Sequence, residues 1–174
     1  MLRLLLVRHA EAVLHAPEGD RERPLTKRGR GDAARLGQYC QAHGLIPPFA
    51  LVSPALRARE TWMAMWAEFS QKPAWEIADE LYRTDVEGLR ERLGSVSAAV
   101  ESLLMIGHNP VLAEFGRSLV DPWQSEPASL PHFPAPCLAV IDFPTDSWMD
   151  VDKGGRLDRF IHFADMPAGH LLSS

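Results

Sequence analysis

The residues best equipped for chemistry sit directly after three short apolar runs. The run at 2–7 ends in Arg8 and His9, the run at 49–52 ends in Ser53 with Arg57 four positions on, and the run at 102–106 ends in Gly107 and His108. Apolar runs ordinarily close in turn formers; these close in cations, imidazoles and a hydroxyl. An arginine offers a planar fork of donors that matches the oxygens of a phosphoryl group. A neutral imidazole is a competent nucleophile near neutral pH, and a protonated one is a further donor. The combination reads as an anion-handling cleft: Arg8, Arg57 and His108 bind phosphoryl oxygens, and His9 attacks phosphorus in line. Taken singly, each short motif has a plain structural explanation, Arg57 and Arg59 as solvated helix residues and Asn-Pro as a helix start. Their joint placement at the ends of apolar strands is what carries the reading.

Such a cleft needs elements that bring the three clusters together. The mostly aliphatic run at 2–7 lacks alternation, which predicts a strand buried on both faces of its sheet. Thr26 is a predicted N-cap and Gly44 a C′ glycine, bounding a helix with Ala33, Leu36, Gly37 and Cys40 on one face; Gly29 and Gly31 predict that it settles only after them. Pro54 suits the first turn of a helix running through LRARETWMAMWAEF. Residues 74–78 read as a third strand nearer an edge. Thr84, with Glu87 three positions later, predicts a capping box before Leu89 and Leu93. Asn109 reads as the cap of a helix that starts at Pro110 and carries Leu112 and residues 115–120. Residues 121–136 contain five prolines and read as a long loop. Residues 137–143 and 157–163 read as two closing strands, and 167–174 as a loose tail. Strands alternating with helices predict an α/β/α three-layer sandwich with a mostly parallel sheet. In such sheets ligands sit beyond the carboxyl ends of the strands, so all three clusters face one edge. The helix starts near Pro54 and Pro110 aim free N–H groups the same way.

Length and composition bound the rest. The 174 residues suit a single domain over 1–174, and 46% hydrophobic with 24% charged residues is an ordinary globular mixture. A net charge of -5 argues against a nucleic-acid partner, which would require a basic face. Cys40 and Cys137 lie far apart, offer no metal spacing and read as reduced thiols. No apolar run approaches the roughly 20 residues of a membrane span, and Arg8 interrupts the N-terminal run too early for a signal peptide. A cytoplasmic protein with no membrane partner is the expectation. His15, His43, His132, His162 and His170 read as surface or loop histidines, and Trp62 and Trp66 as core packing.

These motifs resemble those of a known family. LLLVRHAEA resembles the RHG signature of the histidine phosphatase superfamily, with Ala10 where glycine is usual, and RPLTKRGRGDA resembles the segment that follows it. VSPALRARET resembles the superfamily's S-P-x-x-R-x-x-x-T element through Ser53, Arg57 and Thr61, and LLMIGHNP its second-histidine element. The compact length and DELYRTDVEGL are most similar to the SixA-like branch of phosphohistidine phosphatases. The likeness runs from Leu2 to about Val120. It implies a phosphoglycerate mutase-like fold and a phosphatase that needs neither metal nor cofactor. His9 would become a phosphohistidine, with Arg8, Arg57 and His108 stabilising the transition state. The backbone carbonyl of residue 10 would orient His9. A general acid before the second histidine would be Glu80 first, Asp85 second, or none if the leaving group is good. The implied partner is a phosphorylated substrate, a phosphohistidine-bearing signalling protein or a small phosphomonoester. With no long insertion between Arg57 and His108 to build a lid, the site is expected to be open. Two other classes compete. A metallohydrolase would use His9, Glu11 and His108 as ligands, against repulsion from Arg8 and Arg57. A non-catalytic phosphate-binding module would leave the imidazole at position 9 without a purpose.

Overall fold

The computed structural model describes residues 1–121, 123, 130, 132–152 and 154–163. Its first strand, β1 (Leu2–Arg8), is the mostly aliphatic run, with Leu4, Leu5, Leu6 and Val7 wholly buried. Burial of each such side chain contributes about 1.5–3 kcal/mol. Alternation divides them: Leu4 and Leu6 join a core with Leu112, Phe115 and Leu119, whereas Leu5 and Val7 join one with Leu36, Trp62 and Met65. Both faces of the strand are covered, as four consecutive aliphatic residues from Leu4 to Val7 require.

The elements that follow are α1 (Lys27–Ala42), β2 (Phe49–Val52), α2 (Leu56–Glu68), β3 (Ala74–Ile77), α3 (Val86–Gly94), β4 (Ser102–Gly107), α4 (Val111–Leu119), β5 (Cys137–Phe143) and β6 (Arg156–His162). Short 3-10 turns lie at Asp20–Glu22, Asp79–Leu81 and Trp148–Asp150. The sheet order is β3-β2-β4-β1-β5-β6. β3, β2, β4 and β1 run parallel, and β5 and β6 close the sheet antiparallel. The core of α1 and α2 side chains covers one face and that of α3 and α4 the other. This is the expected three-layer α/β/α architecture with a mostly parallel sheet.

Local signals behaved unevenly. Thr26 caps α1, its hydroxyl accepting from the Gly29 N–H at 3.0 Å, and Gly44 beyond the helix has φ +67°. The helix nonetheless starts at Lys27 and takes in Gly29 and Gly31. At Gly29 there is a reason: a Cβ would lie 2.1 Å from the Glu11 carbonyl oxygen, so only glycine lets the chain pass. The predicted capping box of Thr84 and Glu87 is replaced by a single N-cap one residue later. Asp85, not Thr84, caps α3, its carboxylate accepting from the Gly88 N–H at 2.8 Å; a charged acceptor at the helix start outcompetes a hydroxyl there. Pro54 lies before α2, whose N-cap is Ala55. Asn109 does not cap α4, whose N-cap is Pro110; its amide N–H₂ donates to the Phe133 carbonyl, and its Oδ1 takes no helix N–H. β3 is an exposed edge strand, as its polar flanks imply. Of the proline-rich segment 121–136, residues 122, 124–129 and 131 lie outside the described residues, as does the whole expected tail 167–174.

Candidate active site

Strand register builds the site. β1 pairs in parallel with β4 so that Arg8 lies opposite Gly107, and the His9 N–H donates to the Gly107 carbonyl at 3.3 Å. β2 lies on the other side of β4, and the Ser53 N–H donates to the Ile106 carbonyl at 3.1 Å. His9, Ser53 and His108 thus leave three adjacent strands at one edge. The His9 and His108 rings lie 5.1 Å apart, and the Ser53 Oγ is 2.7 Å from His108 Nε2. Arg57 enters from the first turn of α2, immediately beyond the β2 exit. A pocket of about 300 Å³ is lined by Arg8, His9, Glu11, Arg23, Arg57, His108 and Asn109, with Ala12 and Ala135. The structure therefore brings together Arg8, His9, Arg57 and His108.

The electronic state of His9 follows from one bond. Its Nδ1 is 2.7 Å from the Ala10 carbonyl oxygen. A carbonyl can only accept, so Nδ1 carries the proton and the Nε2 lone pair is free. Burial pushes the imidazole down to about 3, with neighbouring His108 and then Arg57 and Arg8 acting the same way against the Ala10 bond. His108 is likewise pushed down to about 4, first by burial and then by Arg57. Both rings are neutral at neutral pH, so His108 becomes a charged donor only beside an opposing charge. A phosphoryl dianion beside it would favour the protonated form. The Ala10 N–H donates to Thr61 Oγ at 3.0 Å, and the Thr61 hydroxyl donates to the Arg57 carbonyl at 2.7 Å. One buried hydroxyl thereby ties the turn after β1 to α2.

The cations are held by groups that sequence reasoning did not single out. Arg8 Nη1 donates to the Phe133 carbonyl at 2.8 Å, the same oxygen that takes the Asn109 amide. Arg57 Nη1 donates to the Asp20 carbonyl at 2.8 Å and Nη2 to the Asp20 carboxylate at 3.2 Å. Tyr82 and Arg23 also donate to that carboxylate. Its pKa falls to about 2, chiefly through the Tyr82 hydroxyl and then through Arg57 and Arg23, against partial burial. Arg8 Nε and Arg57 Nε are buried without a hydrogen-bond partner, so each guanidinium keeps donors that its protein partners do not take. Arg23 belongs to the RPLT stretch already noted, but nothing in its spacing marks it as pocket-lining. Asp20, Tyr82 and the Phe133 carbonyl carry no local signal.

Neither candidate acid reaches the pocket. Glu80 sits in the 3-10 turn with its carboxylate 3.8 Å from Arg92 Nε and more than half exposed. The tight turn buries Leu81 and sends Glu80 outward. Asp85 is occupied in capping α3. Glu11 does line the pocket, and its carboxylate accepts from the Thr26 hydroxyl at 2.7 Å. Among the described residues no group of three or more His, Cys, Asp or Glu is placed to hold a metal ion. No helix among them is long and apolar enough to cross a membrane.

Residues 4–93 match the family described as histidine phosphatase superfamily (branch 1). The chain belongs to this superfamily. An Arabidopsis thaliana chloroplastic protein of uncharacterized function is 40% identical over 67 residues, which cover 38% of this chain but only 31% of that protein. A Nakamurella multipartitia structure described as a candidate phosphohistidine phosphatase SixA is 29% identical, with a TM-score of 0.78 over 92% of this chain and 95% of the other. The protein histidine phosphatase SixA, solved in complex with tungstate, has the same TM-score of 0.78 at 22% identity, over 94% and 98% of the two chains. That likeness is one of fold. The superfamily match and the shared phosphoglycerate mutase-like architecture together support a phosphatase activity.

Proposed function

We propose that this protein is a metal-independent, SixA-like protein phosphohistidine phosphatase. The observation that carries the reading is the His9–Ala10 bond, which leaves a neutral Nε2 lone pair inside a pocket flanked by Arg8, Arg57 and His108. In the first step His9 Nε2 attacks phosphorus, the bond from phosphorus to the leaving nitrogen breaks with its electron pair staying on that nitrogen, and the substrate ring, already protonated on its other nitrogen, departs as a neutral imidazole. Arg8, Arg57 and His108 hold the equatorial oxygens, whose charge rises in the transition state. Water then attacks phosphorus, the bond to Nε2 breaks, and inorganic phosphate leaves.

The phosphohistidine preference is supported by what surrounds the pocket. Glu80 and Asp85 are engaged elsewhere, and an alkoxide would need a well-placed acid far more than an imidazole does. The test presents the protein with a labelled phosphohistidine protein and with a panel of small phosphomonoesters, then traps the phosphoenzyme. We expect an acid-labile label on His9, faster turnover of the phosphohistidine substrate, and neither label nor turnover in His9→Ala. Full turnover by His9→Ala would overturn the mechanism. Preferential turnover of a small phosphomonoester would overturn the substrate assignment alone.

A further inference from the structure

The feature that the proposed chemistry leaves unused is the carboxylate of Asp20 at the edge of a pocket built for anions. An acid beside a phosphoryl site would ordinarily weaken binding by repulsion. Its contacts explain its presence. Arg57 meets Asp20 with both terminal nitrogens, one on the backbone carbonyl at 2.8 Å and one on the carboxylate at 3.2 Å. A guanidinium has five N–H donors, so this clamp leaves Nε and the remaining terminal hydrogens uncommitted; Nε is buried and unpaired. The carboxylate is itself fixed, by the Tyr82 hydroxyl at 2.8 Å on one oxygen and Arg23 Nε at 2.9 Å on the other. Arg23 also donates from Nη1 to the Val13 carbonyl at 2.9 Å. Tyr82 in turn lies edge-on to the His108 ring, with centroids 5.9 Å apart. Asp20 thus connects two pocket arginines to the loop that backs the second histidine.

Resting on the phosphatase reading above, we propose that Asp20 is a positioning residue. It clamps Arg57 and Arg23 so that their free donors are aimed at the phosphoryl oxygens before substrate arrives, with Tyr82 holding the clamp. Rigid pre-orientation matters because donors that must first find their geometry give up much of their value in the transition state. The carboxylate is ionised at any working pH, since its pKa is held to about 2, so it serves as a fixed acceptor and not as a proton donor.

The two roles open to Asp20 predict opposite signs. If it were only a counter-charge, Asp20→Asn would tighten anion binding. If it positions the arginines, Asp20→Asn keeps one acceptor oxygen but puts an amide N–H₂ against either Arg23 or the Arg57 and Tyr82 pair, and anion binding weakens. The experiment measures tungstate affinity by calorimetry and kcat/KM on a phosphohistidine protein for wild type, Asp20→Asn, Asp20→Glu and Tyr82→Phe, with Tm for each. We expect Asp20→Asn to weaken tungstate binding and lower kcat/KM about tenfold each, at a Tm within a few degrees of wild type. Asp20→Glu should recover part of both, and Tyr82→Phe should lose less than Asp20→Asn. Unchanged or tighter tungstate binding in Asp20→Asn, with wild-type turnover intact, would overturn the positioning role alone. Absence of phosphatase turnover in the wild type would overturn the functional reading and this inference with it.

Discussion

Thr61→Val removes one buried hydroxyl while keeping the side chain's shape, so it isolates the tie between the turn after β1 and α2. Thr61 is wholly buried, and its oxygen is the acceptor for the Ala10 N–H at 3.0 Å. In the valine variant that N–H loses its partner in a place water does not reach, at a cost of about 1–3 kcal/mol. For a chain of this size each kcal/mol corresponds to a Tm change of about 2–4 °C, so the expected fall is about 2–12 °C. The same peptide unit lies next to the carbonyl that holds His9 Nδ1 at 2.7 Å. Once the peptide can rotate, the tautomer and aim of His9 are no longer fixed, and kcat/KM should drop about tenfold. Thr61→Ser is the control: it keeps the hydroxyl, loses a methyl worth about 1 kcal/mol, and should retain nearly full turnover. Calorimetry, steady-state kinetics and nitrogen NMR of the His9 ring read the three consequences. Thr61→Val with wild-type Tm, wild-type kcat/KM and an unaltered His9 Nδ1–H tautomer would refute the reasoning.

Four further outcomes are expected. In the ligand-free protein the ring protons of His9 and His108 should hold constant NMR shifts from about pH 7.5 to about 5.5, because folding pushes their pKa values from 6.5 to about 3 and about 4; a midpoint near 6.5 in either would contradict this. The sign for stability follows, since below 6.5 the unfolded chain takes up protons at these rings that the folded one refuses, so Tm should fall as pH drops toward 4. Gly37→Ala should lower the urea midpoint by the equivalent of about 1–3 kcal/mol, because its Cβ would lie 2.7 Å from the Met65 backbone where α1 and α2 cross; an unchanged midpoint would show that the helices can separate freely. Glu80→Gln should change kcat by less than about twofold, as it disturbs only an exposed ion pair, and a large loss on phosphoester substrates would restore Glu80 as an acid.

What the residue order determined by itself is everything that depends on near neighbours. The unbroken run before Arg8 demands a strand covered on both faces, and the alternation of apolar runs with helical spacings demands layers. Residues 137–143 form the expected strand, and Thr26 the expected cap, because both follow from side chains within a few positions. The convergence of Arg8, His9, Arg57 and His108 was legible because a parallel sheet puts all its carboxyl ends at one edge. What only the tertiary structure decided is how those groups are held and charged. Asp20 reaches Arg57 across 37 positions and Tyr82 across 62, and the Phe133 carbonyl meets Arg8 across 125. Such pairings leave no periodicity, because they arise from the packing of separate loops against one another. Glu80 shows the same limit from the other side: sequence places it before the second histidine, but a single 3-10 turn decides whether its carboxylate faces the pocket or Arg92.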